Sequence, residues 1–158
     1  MSRPFLKMNG LGNDFVVVEA LSTPFAPSAE EVRAICDRTN GIGCDQLVVF
    51  EPAEGADARV RFWNADGEPA GACGNASRCI GWLLMQASGK DRATIAADDR
   101  TLQAFAAGER RVTVDMGKPG LDWRDIPLEE EMDTRGIELQ VGPNDDPLLH
   151  TPGAVSMG

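Results

Sequence analysis

The chain has 158 residues, the length of one ordinary domain, because single domains most often run about 100–150 residues. Hydrophobic residues make up 42% and charged residues 25%, which excludes a disordered or collagen-like chain. Fifteen Lys and Arg against 25 Asp and Glu give a net charge of −10 without a basic cluster, so we expect no nucleic-acid partner. No apolar run reaches the ~20 residues of a membrane span and no signal peptide is recognisable, so we expect a cytoplasmic protein without a membrane partner.

The residue inventory excludes most familiar catalytic chemistries. The chain has four cysteines, Cys36, Cys44, Cys73 and Cys79. Their spacing fits neither a disulfide framework nor the paired cysteines of a structural zinc site. His150 is the only histidine, which argues against a Ser-His-Asp triad, a histidine-activated cysteine and a multi-histidine metal site. We therefore expect no metal, and cysteine chemistry is what remains.

Short strands are the dominant predicted element. Apolar, β-branched and alternating segments predict them at residues 5–8, 15–18, 47–50, 59–63, 93–97, 101–107 and 111–116. Residues 59–63 alternate strictly, which is typical of a strand with one face buried and the other exposed. The spacing of the strands favours antiparallel pairing over alternating βαβ units.

Two helices are predicted between these strands. The first begins at a capping box formed by Ser28 and Glu31 and is expected to stop at residues 40–41. The second is predicted within residues 72–89, with Asn75 as its N-cap and Gly89 as its stop. Because the second helix is apolar nearly all round, it predicts a sheet that curls around a central buried helix.

Cys73 is the strongest candidate for a reactive group. It is followed by Gly74 and Asn75 immediately before the second helix, where unpaired backbone N–H groups and the helix dipole favour a thiolate. Gly74 has no side chain, so a small anion could approach the same N–H groups. The local evidence leaves two interpretations equally open, a base beside an anion seat and a structural cysteine. Packing or incidental roles are favoured for the other cysteines, Cys36, Cys44 and Cys79.

Four motifs resemble the ordered motifs of diaminopimelate epimerases. They are Lys-Met-Asn-Gly-Leu-Gly-Asn-Asp-Phe at 7–15, Gly-Ile-Gly-Cys-Asp-Gln at 41–46, Phe-Trp-Asn-Ala-Asp-Gly at 62–67 and Ala-Cys-Gly-Asn-Ala-Ser-Arg-Cys at 72–79. Their common order and plausible intervals make the signal far more specific than any one motif. Residues 116–119 and 155–158 also resemble segments of this family.

The resemblance implies an α+β fold in which a mostly antiparallel sheet wraps around a central buried helix. It also implies cofactor-independent, two-base epimerisation of LL- to meso-diaminopimelate, a small-molecule substrate of lysine and peptidoglycan precursor biosynthesis. By matched position Cys73 is one catalytic acid/base. The implied substrate-binding residues are Asn13, Gln46, Asn64, Gly74 and Asn75, the last two holding the α-carboxylate through their N–H groups.

Two departures from the family pattern stand out. Ala76 occupies a position where the family more often has glycine, and no cysteine follows Cys79 to act as the second base. We therefore expect residues 1–118 to form the N-terminal domain and 119–158 the incomplete start of a pseudo-symmetric second domain, cut at Gly158. Such a chain is expected to be inactive alone and to form a homodimer. The alternatives are a non-catalytic amino-acid-binding module and a related racemase independent of pyridoxal phosphate.

Overall fold

The computed structural model describes residues 3–71, 73–98, 100–143 and 145–157. Predictions that involve Ala72 and Gly158 lie outside the described residues. The chain divides into two compact units, Met1–Met116 and Gly117–Gly158. The assignment of 1–118 and 119–158 to two pseudo-symmetric domains stays a prediction. Within the described ranges, no helix combines the length and the apolar character needed to cross a bilayer.

The first unit is one sheet of eight strands with two helices. The elements in chain order are β1 Leu6–Gly10, β2 Asn13–Glu19, α1 Ala29–Cys36, β3 Gln46–Glu51, β4 Ala58–Asn64, β5 Pro69–Ala70, α2 Gly74–Ser88, β6 Arg92–Ala97, β7 Arg100–Ala106 and β8 Val112–Asp115. Along the sheet the order is β1-β2-β3-β4-β6-β7-β8, and β5 pairs with β4.

Most strand pairs are antiparallel, as predicted, but two are parallel. β2 pairs with β3 in parallel, and β4 pairs with β6 in parallel. The expectation of a mostly antiparallel sheet is confirmed, and these two pairs are the places where antiparallel pairing does not hold. The physical reason is that a parallel pair needs a long crossover, and α1 and α2 provide one for each pair.

The inner face of the sheet curls around α2. Because side chains alternate along a strand, every second residue of each central strand points to this helix. Ile80 of α2 is fully buried in the resulting core. The core residues contributed by β2, β3 and β4 are Phe15, Val17, Val48, Phe50, Ala58, Val60 and Phe62.

The outer face of the sheet is covered by α1. Val32 and Cys36 of this helix pack in a second apolar cluster with the opposite side chains of β2, β3 and β4. Trp63 of β4 belongs to this cluster and is only 8% exposed. The prediction that 59–63 leaves one face exposed is therefore wrong at Trp63, because α1 lies across that end of the strand.

Helix α1 begins where the sequence predicts and ends earlier than predicted. Ser28 and Glu31 form the predicted capping box of α1. The helix ends at Cys36, before residues 40–41, because the Asp37 carboxylate accepts the N–H groups of Thr39 and Asn40 and folds the chain into a turn.

The second helix begins two residues earlier than predicted. Its N-cap is Cys73, in an extended conformation, while the Asn75 side chain donates to Asn13 and so caps nothing. Gly89 ends α2 in the left-handed region, with φ of 69°, as predicted.

The second unit has little regular structure. Strands β9 Gln140–Val141 and β10 Leu149–His150 form a two-stranded antiparallel ladder. The buried side chains among its described residues are Ile126 and Thr134. Such a small apolar core agrees with the acidic, proline-punctuated sequence of this segment.

Gly81→Ala tests how closely α2 approaches the sheet. The added Cβ would lie 2.5 Å from the Cβ of Ala104 on β7, so we expect a destabilisation of about 1–3 kcal/mol from overpacking. The greater helix propensity of alanine, about 1 kcal/mol, offsets part of this cost. The measurement is the free energy of unfolding in urea.

The matched control is Ala104→Gly, which opens the same space from the strand side. The double variant should be more stable than the sum of the two single effects predicts, since the two sites share one contact. Strict additivity, or a Gly81→Ala variant as stable as the parent chain, would contradict this close contact.

Candidate active site

Three of the predicted substrate-binding residues lie at strand ends, on the same end of the sheet. Asn13 and Gln46 begin the parallel strands β2 and β3, and Asn64 ends β4, which is antiparallel to β3. Each of the three lies two residues along its strand from a core residue that faces α2. Because side chains alternate along a strand, all three side chains lie on the inner face of the sheet. Gln46 and Asn64 are direct register partners, and Gln46 Nε2 donates to Asn64 Oδ1 at 2.9 Å.

The N-terminus of α2 lies at the same end of the sheet. Strand β5 pairs with β4 at Phe62 and Ala70, which places the following residues beside the end of β4. Asn75 Nδ2 donates to Asn13 Oδ1 at 2.5 Å, across 62 residues of sequence. The structure thus brings together two pairs of predicted site residues, Asn13 with Asn75 and Gln46 with Asn64. Among the described residues, no side-chain hydrogen bond joins one pair to the other.

The first turn of α2 has backbone N–H groups that point out of the N-terminal end of the helix. The first intrahelical bond runs from the Ser77 N–H to the Cys73 carbonyl at 2.8 Å, so the N–H groups before Ser77 have no partner within the helix. Neither a side-chain cap nor an acidic residue occupies this turn. A Cβ on Gly74 would make only an ordinary contact of 3.4 Å with Met116 Sδ, so packing alone does not require glycine there. The arrangement suits a small anion.

Cys73 differs from the other three cysteines in exposure. It is half-buried, whereas Cys36, Cys44 and Cys79 are buried. Burial, and then the neighbouring Cys73, raise the pKa of Cys79 above its usual range. Burial and the hydrogen bond from Cys44 raise the pKa of Cys36 to about 12. The buried positions support packing roles for these three thiols and leave Cys73 as the accessible one.

An ion-pair network lies beneath Asn13 and Gln46. Arg38 donates to Asp14 at 2.9 Å and to Asp45 at 2.8 Å, and Lys7 lies 3.8 Å from Asp14. The hydrogen bond from Arg38, followed by that from Asn9, holds the pKa of Asp14 below its usual range.

The neighbouring Asp45 carboxylate also has a lowered pKa. Its largest cause is the hydrogen bond from the Asp14 backbone N–H, at 2.7 Å, and the Arg38 guanidinium contributes further. Arg38 lies outside the four motifs, so the sequence offers no signal for it. Asp14 and Asp45 each adjoin a predicted site residue within a motif, which is the signal that would have identified them.

A cavity of about 710 Å³ lies beside α2 and is also flanked by β1 and the β7–β8 hairpin; its lining includes Lys7, Leu11, Arg78, Cys79 and Trp82. Cys73, Gln46 and Asn64 are absent from the described lining residues. We select the N-terminus of α2 as the candidate site by its chemistry, because it combines a half-buried thiol with backbone N–H groups that have no partner within the helix.

The fold resembles those of solved epimerases. A predicted epimerase from Pseudomonas aeruginosa superposes with a TM-score of 0.57 at 17% identity, over 77% of this chain and 45% of that chain. A hydroxyproline epimerase from Agrobacterium vitis gives a TM-score of 0.57 at 16% identity, over 75% and 43% of the two chains. At this level of identity the likeness concerns the fold, and it confirms the predicted α+β sheet around a helix.

Sequence comparison identifies the family. The sequence profile of diaminopimelate epimerases matches residues 5–121. The chain is 62% identical to a diaminopimelate epimerase from Caulobacter sp. (strain K31) and 63% identical to one from Phenylobacterium zucineum (strain HLK1), in each case over 100% of this chain. The chain therefore belongs to the diaminopimelate epimerase family, which confirms the resemblance carried by the four motifs. It spans 57% of the length of these two relatives.

Alkylation with iodoacetamide tests the distinct environment of Cys73. We expect Cys73 to react at least about tenfold faster than the other three thiols at neutral pH, because it is half-buried whereas they are buried. Mass spectrometry of tryptic peptides over time measures the four rates.

The matched controls are Cys73→Ser and Cys79→Ser, six residues apart. Cys73→Ser should remove the fast reaction and Cys79→Ser should keep it, while urea should bring all four rates close together. Fast labelling of Cys36 or Cys44 in the folded protein is the result that would overturn this description.

Proposed function

We propose that this chain supplies one half of an active site that epimerises the α-carbon of diaminopimelate between the LL and meso forms without a cofactor. The observation that carries the proposal is the half-buried Cys73 at the N-terminus of α2, beside backbone donors without a partner in the helix. Membership of the diaminopimelate epimerase family supports the choice of substrate.

The proposed reaction moves two protons and breaks no other bond. The Cys73 thiolate removes the α-proton from one face and becomes a thiol, while a second acid/base group donates a proton to the opposite face of the same carbon. In the reverse direction the two groups exchange roles. Cysteine suits this task because its ordinary pKa lies near neutral pH, where both protonation states are accessible.

The helix terminus supports this chemistry electrostatically. When the α-proton leaves, negative charge spreads from the carbon into the substrate's α-carboxylate. The N–H groups of Gly74 and Asn75 are the proposed donors to that carboxylate, and they need no rearrangement as the charge develops. Fixed donors of this kind favour the transition state over the bound substrate.

Three amide side chains at the ends of β2, β3 and β4 complete the proposed substrate contacts. Asn13, Gln46 and Asn64 each offer both N–H donors and a carbonyl acceptor. A substrate with two amino and two carboxyl groups needs both kinds of partner. Their position on the inner face, beside α2, supports a role in orienting the substrate relative to Cys73.

The second acid/base group is proposed to lie outside these 158 residues. No cysteine follows Cys79 in this sequence, and the relatives that match it are longer. We also place the reaction in the cytoplasm, in lysine and peptidoglycan precursor biosynthesis. A homodimer is the proposed assembly, since β1 is an end strand of the sheet in the described part of the chain and end strands favour association.

Deuterium uptake tests the role of Cys73. LL-diaminopimelate is incubated in heavy water with the complete gene product that contains this chain, and α-deuterium is followed by mass spectrometry. Cys73→Ala is expected to lower the rate of interconversion about 10²–10⁴-fold, because it removes one of two proton-transfer groups. Cys79→Ala, a buried thiol on the same helix, should keep most of the activity.

Three outcomes would overturn the proposal. Unchanged turnover of Cys73→Ala would exclude this thiol from the reaction. Deuterium uptake into a different amino acid, with diaminopimelate inert, would replace the substrate and favour a related racemase. Binding without any uptake would favour a non-catalytic module.

A further inference from the structure

An arginine outside the predicted site joins the two strand starts that carry Asn13 and Gln46. Arg38 Nη1 donates to the Asp14 carboxylate at 2.9 Å, and Arg38 Nη2 donates to the Asp45 carboxylate at 2.8 Å. Asp14 directly follows Asn13, and Asp45 directly precedes Gln46. We call Arg38, Asp14 and Asp45 the Arg38 cluster. It links the neighbours of two predicted substrate contacts.

Backbone hydrogen bonds connect the same two strand starts. The Asp14 N–H donates to the Asp45 carboxylate at 2.7 Å, and the Asp45 N–H donates to the Asp14 carbonyl at 3.0 Å. In the parallel register Phe15 lies opposite Gln46, so the two aspartates that precede them lie side by side. The starts of β2 and β3 are therefore fixed relative to each other through both backbone and side-chain groups.

The two carboxylates need a cation between them. The hydrogen bond from Arg38 lowers the pKa of Asp14, and the Asp14 N–H, followed by Arg38, lowers the pKa of Asp45, so both groups are ionised at neutral pH. Like charges on adjacent strands repel each other. Lys7 lies 3.8 Å from Asp14, and among the described residues Arg38 is the cation that bonds to both carboxylates. Its planar guanidinium suits this bridge because it offers separate N–H groups in a fixed geometry.

The turn after α1 places Arg38 within reach of both carboxylates. The Cys44 N–H donates to the Cys36 carbonyl at 3.1 Å, which closes the turn. Gly43 has a φ of 79°, and a Cβ at this position would lie 3.1 Å from the Cα of Arg38. The turn thus packs directly on the backbone of Arg38. The fold positions this arginine even though 57% of its side chain is exposed.

We propose that Arg38 is a positioning residue that holds the side-chain amides of Asn13 and Gln46 next to each other for the substrate. Arg38 bonds to the sequence neighbours of these residues, so it acts through the starts of β2 and β3 and does not need to touch the substrate. The inference rests on the proposed function, since it assigns a role toward that function's substrate.

Steady-state kinetics with diaminopimelate on the complete gene product test this role. Arg38→Gln is expected to raise KM about threefold to tenfold and to leave kcat within about twofold, because the two amides orient the substrate and transfer no proton. Two amino and two carboxyl groups give diaminopimelate no net charge at neutral pH, so the loss of one positive charge does not by itself predict this change.

The matched control is Arg59→Gln. Arg59 is similarly exposed, at 52% of its side chain, and lies 3.9 Å from Glu51 in an ion pair. It is on β4, at the opposite end from Asn64. This variant should change neither KM nor kcat.

A double variant tests whether the Arg38 cluster acts as one unit. Asp14→Asn alone should also raise KM, because it removes one of the two carboxylates that Arg38 holds. In the Arg38→Gln background the same substitution should raise KM no further, since the bond is already lost and the repulsion between the carboxylates is relieved. Two effects that multiply in the double variant would overturn the proposal.

A second readout follows the two amides without substrate. In ¹⁵N-labelled protein, Arg38→Gln should shift the side-chain NH₂ signals of Asn13 and Gln46, although Arg38 bonds to Asp14 and Asp45 rather than to these amides. The side-chain signals of Gln103, on β7, should stay in place. Unmoved signals of Asn13 and Gln46, or an equal shift of Gln103, would overturn the positioning role.

The kinetic outcomes separate this inference from the proposed function. A parent protein that neither binds nor converts diaminopimelate overturns the proposed function and, with it, the substrate role of Arg38. An active parent in which Arg38→Gln leaves KM unchanged overturns the positioning role alone. An equal rise in KM for Arg59→Gln would also overturn it, because the loss of any exposed ion pair would then have the same effect.

Discussion

The packing of α2 against the inner face of the sheet is the constraint on which the rest of the structure depends. Gly81 lets the helix approach β7 so closely that a Cβ would lie 2.5 Å from Ala104, and Gly10 lets β1 approach the first turn, where a Cβ would lie 3.0 Å from the Asn75 carbonyl oxygen. These two contacts position the helix axis relative to the strands. Because the helix begins at this end of the sheet, Asn75 in its first turn contacts Asn13 at the start of β2. Burial of an apolar helix thus brings a polar site together.

The same burial separates one thiol from the others. Cys79 lies on the buried side of α2, and Cys36 and Cys44 contact each other under α1, with their sulfur atoms 3.3 Å apart. Low polarity disfavours the thiolate at buried positions. Cys73 is half-buried at the N-cap of α2, next to the backbone N–H groups of the first turn. Position in the fold, rather than residue type, decides which cysteine is accessible.

Local signals predicted most of the elements, and contacts between distant residues decided the rest. The capping box at Ser28 is a property of four consecutive residues, so the sequence contains all of it. The N-cap of α2 was predicted wrongly because the Asn75 side chain bonds to Asn13, 62 residues away. The two parallel strand pairs and the ion pairs of Arg38 depend in the same way on how separate segments meet. The predicted site residues came from the ordered motifs, which record a family's chemistry and not the contacts that hold it in place.

The proposed substrate site consists of the N-terminus of α2 and the adjoining ends of β2, β3 and β4. A titration of the ¹⁵N-labelled complete gene product with meso-diaminopimelate, followed through the backbone and side-chain N–H signals, tests this assignment. We expect the largest shifts at Gly74 and Asn75, with further shifts at the side-chain amides of Gln46 and Asn64. Shifts confined to the cavity lined by Lys7, Leu11 and Trp82, with Gly74 and Asn75 unmoved, would contradict it.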